Sequence, residues 1–277
     1  MNPKKTLFQS ALLALTGTVL AVVTSPAALV ATPVNGDIFL GFRASGGQGG
    51  SVSYLVNLGT NNQFRTIGSG AGSAVPGDTF ALTSIGDIGA DLVTAFGSNW
   101  ASRADLFWGV FGVSTSGSST VFGSREQIPV GLPSLAYSPL SSGDRNSTGS
   151  QISSVISQPG GFTGAESTIN STVAILQINT GNASSYNKQV ATAGTSDFGT
   201  VSGWNSIEGD FGDGTAGTAL DLYRLAGTTS ERLGTFSISN SGSLGFTAVP
   251  EPGAPLLAAL ATGVALTTRR RCVTPDI

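Results

Sequence analysis

Apolar and polar residues alternate along much of this chain with the period of a β-strand, in which successive side chains point to opposite faces. In "GDIFLGFR" the alternation puts Ile38, Leu40 and Phe42 on one face, and in "SVSYLVNLG" it does the same for Val52, Tyr54, Val56 and Leu58. "DLFWGVFGV" (Asp105 to Val113) is apolar on both faces, the pattern of a central strand covered from both sides. "VAILQI", "ALDLYRLA" and "LGTFSI" continue the series, and "FSISNSGSLGFT" predicts a closing hairpin that turns at Asn240 to Gly242. Two segments change to a helical period. In "GDIGADLVTAFG" Asp87 caps, Ile88, Leu92 and Phe96 recur every four residues, and Gly97 terminates. In "GSQISSVIS" Ile152, Val155 and Ile156 share one stripe. "GGQGGS" and the segment Ser138 to Gly149 read as loops. Strands separated by Gly/Ser/Asn loops, without βαβ alternation, predict a mainly β fold: a single β-sandwich-like domain with one or two short helices.

The two ends follow another pattern. Lys4 and Lys5 precede the apolar run Leu7 to Val23, and small residues follow, with Ser25 and Ala27 or Leu29 and Ala31 at the −3 and −1 positions of a cleavage site. This predicts a secretory signal peptide over residues 1–31; the alternative is an uncleaved membrane anchor. At the other end, Gly253 to Thr268 is uncharged and mostly apolar, and Arg269, Arg270 and Arg271 follow it. As a helix those residues would span about 24 Å at ~1.5 Å per residue, short of a ~30 Å hydrocarbon core, so the arginines must act as a cytoplasmic stop-transfer element. Pro250 and Pro252 hold Glu251 extended at the outer interface, because each disfavours a helical residue before it. An extended peptide at a fixed membrane depth suits a protease or transpeptidase. The expected organisation is therefore a signal peptide, an exported domain over residues 32–247, and a tail over residues 248–277 with its apolar helix at 253–268.

Val249-Pro250-Glu251-Pro252, the apolar segment and the arginine cluster together resemble the PEP-CTERM sorting signal of Gram-negative bacteria. The resemblance implies recognition of the tail by an exosortase, an integral-membrane enzyme, and a link to extracellular polymer and biofilm. The alternative is an ordinary tail anchor that happens to begin with this triplet. "CVTPDI" after the arginines is longer than in many such tails. The body is also similar to exported β-rich proteins that carry this signal, on the strength of "GDIFLGFRA…YLVNLG", "IGDIGADL…FGSNWASRADLFWGVFG" and "LDLYRL…LGTFSISNSGSLGFT". That likeness implies architecture and no activity.

Composition removes most chemistry. The 277 residues include no His and one Cys, Cys272, which lies beyond the arginines. Zinc fingers, Ser-His-Asp triads, Cys-His dyads and a disulfide-stapled body are excluded. Residues 32–249 carry 8 basic and 14 acidic residues, a net of −6 that disfavours nucleic acid and anionic lipid surfaces. Charged residues make up only 10% and Gly 39 of 277, while 21 aromatic residues suffice for a packed core.

Four groups remain as candidate sites. "GDGTAG" fits the dinucleotide fingerprint, but a strand-like segment follows it where a helix is required, so it reads as a tight loop. Ser185 and Lys188 form S-x-x-K without the companion elements of the acyl-transferases that use it. Glu208, Asp210 and Asp213 are weak candidates for a calcium site of an extracellular module, against a solvated turn; two of them could also serve as acid and base on a glycoside. Trp108 sits in the best core strand, whereas Trp100 and Trp204 lie in loop-like stretches and are candidates for glycan contact. "VAILQI" has the low charge and missing Pro of an aggregation-prone hexamer, as does any buried strand.

The expected protein is thus a non-enzymatic, exported cell-surface or extracellular-matrix protein, with no cofactor. Its expected partners are signal peptidase and the secretion machinery, an exosortase, the inner membrane during sorting, and an extracellular polysaccharide if any ligand. A carbohydrate-binding matrix module is the alternative, and a polysaccharide hydrolase a third.

Overall fold

The computed structural model describes residues 32–64, 79–81, 88–115, 119–157, 173–191, 198, 207–211 and 219–249. Among the described residues ten strands form one sheet: β1 (Asp37–Ala44), β2 (Val52–Thr60), β3 (Thr79–Ala81), β4 (Leu106–Ser114), β5 (Thr120–Glu126), β6 (Ala174–Ile178), β7 (Glu208–Asp210), β8 (Ala219–Ala226), β9 (Thr229–Ile238) and β10 (Leu244–Ala248). The α-helices among the described residues are α1 (Ile88–Phe96), α2 (Ser142–Ser157) and α3 (Tyr186–Ala191). The strand order is β3-β10-β9-β8-β5-β4-β1-β2-β6, with β7 paired to β4, and every pairing is antiparallel.

The fold is mainly β, as the alternation predicts, and its two layers come from a single sheet that curls. Strand twist accumulates across so many neighbours, and the curl brings distant strands together. Phe64, just after β2, packs at 5.3 Å and 5.1 Å centroid distance on Phe236 of β9 and Phe246 of β10. The inner face so enclosed holds Ile38, Leu40, Phe42, Tyr54, Val56, Trp108, Leu220 and Leu222. α1 plugs it with Leu92 and Phe96, and the Tyr54 hydroxyl donates to Asp91 of that helix at 2.8 Å. Its first turn lies so close to the β9–β10 hairpin that a Cβ on Gly89 would stand 2.1 Å from the Ser241 carbonyl oxygen. Phe39, Leu55, Phe111, Val121, Tyr223 and Leu225 point to the outer face, where α2 and α3 cover them. β4 is therefore buried on both sides, and so are its neighbours.

Helical content exceeds the expectation. α2 begins at Ser142, inside a stretch that reads as loop. Its first turns present Arg145 instead of an apolar stripe. This buried guanidinium donates to the carbonyls of Leu140, Gly227 and Ser119. Ser141 caps the helix by accepting the Asp144 N–H at 3.1 Å. α3, also unexpected, is capped by Ser185, whose hydroxyl accepts the Lys188 N–H at 3.4 Å. Gly97 ends α1 as predicted, with φ +94° and its N–H on the Val93 carbonyl. Asp87 lies outside the described residues.

Halfway along, β4 changes partner. Its residues Phe107–Gly109 pair with β7, and Phe111–Ser114 pair with β5. At this fork the buried Ser124 hydroxyl accepts the Val110 N–H at 2.7 Å and donates to the Ile207 carbonyl at 2.6 Å. One side chain thereby substitutes for the ladder that β5 abandons.

Two facing glycines let α3 settle on the outer face. Gly41 and Gly109 are register partners in β1 and β4. The Tyr186 ring lies across both, stacked on Phe111 at 5.2 Å and 15°. A Cβ on Gly41 would come within 2.8–2.9 Å of that ring. Gly41→Ala should therefore lower stability by about 1–3 kcal/mol, the usual cost of overpacking. In a Tyr186→Leu background the same change should cost much less. Thermal melts of the four members of this cycle measure the coupling.

Candidate functional site

The acidic candidates separate. Glu208 begins β7 on the outer face and is 5% exposed. Arg43 crosses β4 to meet it, its Nη2 at 2.6 Å from Oε2 and its Nε at 3.0 Å from both oxygens. The guanidinium lies 4.6 Å from the Phe107 ring centroid on the strand between them. Burial pushes the Glu208 carboxyl above the usual carboxylate range; the Arg43 charge, its hydrogen bonds and the Tyr186 hydroxyl act against that rise. A carboxylate so enclosed has no open coordination position and no path to a substrate. This corrects the calcium and acid–base readings for Glu208: its place in a strand beneath α3 turns it inward, against the Arg43 guanidinium. Asp210, two residues on in β7, is half-buried, and Asp213 lies outside the described residues. Among the described residues no group of three or more His, Cys, Asp or Glu side chains stands together as a metal site.

The glycan-contact reading of Trp100 is likewise corrected. Trp100 is 2% exposed and meets Phe211 edge-on at 5.4 Å, within the inner core. The short helical turn that carries it, Trp100–Ser102, folds it under the sheet rather than presenting its face. Trp108 is fully buried, as expected of the central strand. Ser185 is buried and serves as a helix cap. "GDGTAG" and Trp204 lie outside the described residues, as do Pro250, Glu251, Pro252, Arg269, Arg270 and Arg271. Val249 is described: its N–H donates to the Leu233 carbonyl at 3.1 Å, so the body extends through this first residue of the tail motif. No described helix is long and apolar enough to cross a membrane.

A second constellation went unnoticed in the sequence. Asp221 of β8 is fully buried on the outer face, yet it accepts from Arg232, Gln127 and Thr235 at 2.8 Å each and from the Ser134 N–H at 2.6 Å. Burial alone would raise its pKa; the hydrogen bond from Arg232, then those from Ser134, Thr235 and Gln127, outweigh it and hold the carboxyl below the usual range. This cluster anchors the segment from Gln127 to Leu140, which climbs the outer face over β5 and β8. Tyr223 donates to the Ser134 carbonyl at 2.8 Å, Tyr137 to the Ser124 carbonyl at 2.6 Å, and Arg125 to the Leu135 carbonyl at 2.8 Å. A lone acid in the apolar run "ALDLYRLA" was the one visible signal. A single buried carboxylate in a strand must have partners, but sequence does not name them.

Comparison with protein-family models, curated proteins and solved structures gives no match. Function must be argued from the residues themselves.

Two outcomes follow from these clusters. Arg43→Met should cost about 3–5 kcal/mol at neutral pH, the usual result of stranding one charge of a buried pair, and Arg43→Met/Glu208→Gln should recover much of it. Because the folded Glu208 pKa is raised, the single variant should lose stability as pH rises and regain it in acid. Asp221 has the opposite sign. Its depressed pKa contributes stability that is present above the ordinary Asp value of about 4 and lost as pH falls through the folded value. Asp221→Asn should cost about 1.5–3 kcal/mol at pH 7, with the difference from the parent shrinking in acid. Denaturant melts across pH measure both.

Proposed function

We propose that this chain is an exported structural protein of the cell surface or extracellular matrix, delivered by an N-terminal signal peptide and sorted through its C-terminal tail by an exosortase. The observation that carries the reading is the ordered tail and its junction with the body. The last strand ends at Ala248, and the Pro-Glu-Pro triplet starts two residues later. A membrane enzyme that reads the triplet would thus meet it directly beside the folded body, without a spacer. Between two prolines Glu251 favours the extended state that such an enzyme needs. The apolar run and arginines then hold the triplet at the membrane, with the body on the far side.

In this reading the body acts by being present on the surface and not by turnover. The carbohydrate-binding alternative rested on Trp100 and Trp204, and Trp100 is a core residue. The hydrolase alternative drew on two of Glu208, Asp210 and Asp213, and Glu208 is held by Arg43.

In a strain with an exosortase the mature protein should lack the residues beyond the Pro-Glu-Pro segment, and in a strain without one it should keep them. Mass spectrometry of the C-terminus decides this, and an intact peptide through Ile277 in the exosortase-positive strain would refute the sorting role. Replacing Arg269, Arg270 and Arg271 together by Ser should release unprocessed precursor from the inner membrane. Each Arg costs roughly 2.5–3.5 kcal/mol at the bilayer centre, and a 16-residue apolar run is short without that brake. Normal membrane fractionation and processing of the triple variant would show that the arginines are not the stop-transfer element.

A further inference from the structure

Four of the seven large apolar side chains that stand exposed among the described residues lie in one short segment. They are Ile128, Val130, Leu132 and Leu135, at 74%, 43%, 58% and 77% exposure. Single exposed apolar residues are ordinary; a contiguous set marks a contact surface. The segment from Gln127 to Leu140 contains no charged residue. A slack loop would turn such side chains inward, and this one cannot. Its backbone is held by the Gln127 side chain on the Gly131 N–H, by Asp221 on the Ser134 N–H, by Tyr223 on the Ser134 carbonyl and by Arg125 on the Leu135 carbonyl. Tyr137 and Leu140 anchor the end of the segment in the outer core, while Ile128, Val130, Leu132 and Leu135 before them are left pointing out. Two arginines stand at its rim: Arg125, 4.9 Å from the Tyr137 ring centroid, and Arg232, which is ion-paired with the buried Asp221.

The position of the loop relative to the tail says what covers it. Ser134 sits over β8, at Asp221 and Tyr223. In the register of the sheet Leu222 faces Gly234, and Gly234 faces Ala248. The chain therefore leaves the sheet at the level of the loop, two strands away, or about 10 Å at ~4.8 Å per strand. From Val249 to Pro252 it can reach at most about 14 Å at ~3.5 Å per residue. A tail inserted in a bilayer would therefore hold the end of β10, and with it the Ser134 part of the loop two strands away, close to the membrane.

We propose that the loop from Gln127 to Leu140 is a lipid-contacting surface that seats the body on the outer leaflet while the tail is in the membrane. The proposal rests on the reading of the tail as a membrane-inserted segment. Uncharged aliphatic side chains with an arginine rim match the interfacial zone, where apolar groups enter the acyl boundary and cations meet phosphates. The loop is preorganised, so little ordering opposes its docking. Four aliphatic side chains are nevertheless too few to hold a body of this size alone. Attachment needs the high effective concentration that the tether supplies, so loss of the tail also frees the body.

The test uses residues 32–277, without the apolar run Leu7 to Val23 so that only the tail can insert, with Cys272→Ser and one new cysteine, at Leu135 or, as a control at the far edge of the sheet, at Thr180. Each carries an environment-sensitive nitrobenzoxadiazole label and is reconstituted with phosphatidylethanolamine/phosphatidylglycerol vesicles. Both residues are exposed, so the labels should leave the melt unchanged. Co-flotation with a blue shift and gain of intensity at position 135, quenched by spin-labelled lipid, and an aqueous spectrum at position 180, are expected. Truncation after Val249 should abolish flotation and the shift together. Flotation with an aqueous spectrum at both positions overturns the lipid contact while leaving the tail reading intact. Failure of residues 32–277 to float removes the tail reading and the proposal with it. A blue shift without vesicles overturns it in favour of a second copy if it depends on concentration, or of the tail folded back on the loop if truncation removes it.

Discussion

Where β4 exchanges β7 for β5, its Val110 N–H points to a gap that no strand fills, and the Ser124 hydroxyl closes that gap. Everything on the outer face is arranged around this point. The hydroxyl takes the Val110 proton and gives its own to Ile207, immediately before β7. The carbonyl of the same residue accepts from Tyr137 and so fixes the apolar loop. In an interior where an unpaired backbone group costs about 1–3 kcal/mol, one buried serine permits a sheet to fork without breaking. Because the fork is sealed, β5 can continue along β8 while β7 brings Glu208 within reach of Arg43. The sheet thus remains a single hydrogen-bonded surface that curls on itself, with both faces of its central strands buried.

Burial on both faces explains which parts of the fold were legible in the chain. The alternation of Ile38, Leu40 and Phe42 marks the inner face truly, and Phe39 between them marks the outer one. "DLFWGVFGV" shows its central position directly. α1 was legible because its core contacts recur every four residues. α2 was legible only in its second half, where Ile152, Val155 and Ile156 share the expected stripe; its first turns dock through Arg145 and carbonyl oxygens, a mode that leaves no apolar period. Its capping signal, Ser141 followed three residues later by Asp144, was present but lay in a polar stretch that resembles loop. α3 is one turn and a half packed through Tyr186 on two glycines, a fit between distant segments that no local pattern encodes.

The candidate sites divide in the same way. The tail motif is a linear signal, read by its order, and needs no fold to be seen. The acidic group and the tryptophans required a three-dimensional arrangement, and proximity along the chain misled. Glu208 and Asp210 are neighbours in sequence, yet Glu208 belongs to Arg43, which stands 165 residues away. Trp100 sits in a glycine- and serine-flanked turn but packs under the sheet. The exposed loop is a Pro-containing, uncharged run with no strand or helix period. Only its anchoring by Asp221, Tyr223 and Arg125 turns it outward.

The seal at the fork is the claim on which this account stands, and Ser124→Ala tests it most directly. Amide exchange at Val110, measured together with a denaturant melt, reads the bond itself and its contribution. Loss of the hydroxyl should accelerate exchange at Val110 selectively and lower stability by about 1–3 kcal/mol, with the register of β1 against β4 retained. Exchange at Val110 unchanged from the parent, with stability within about 0.5 kcal/mol of it, would show that the sheet forks without the serine.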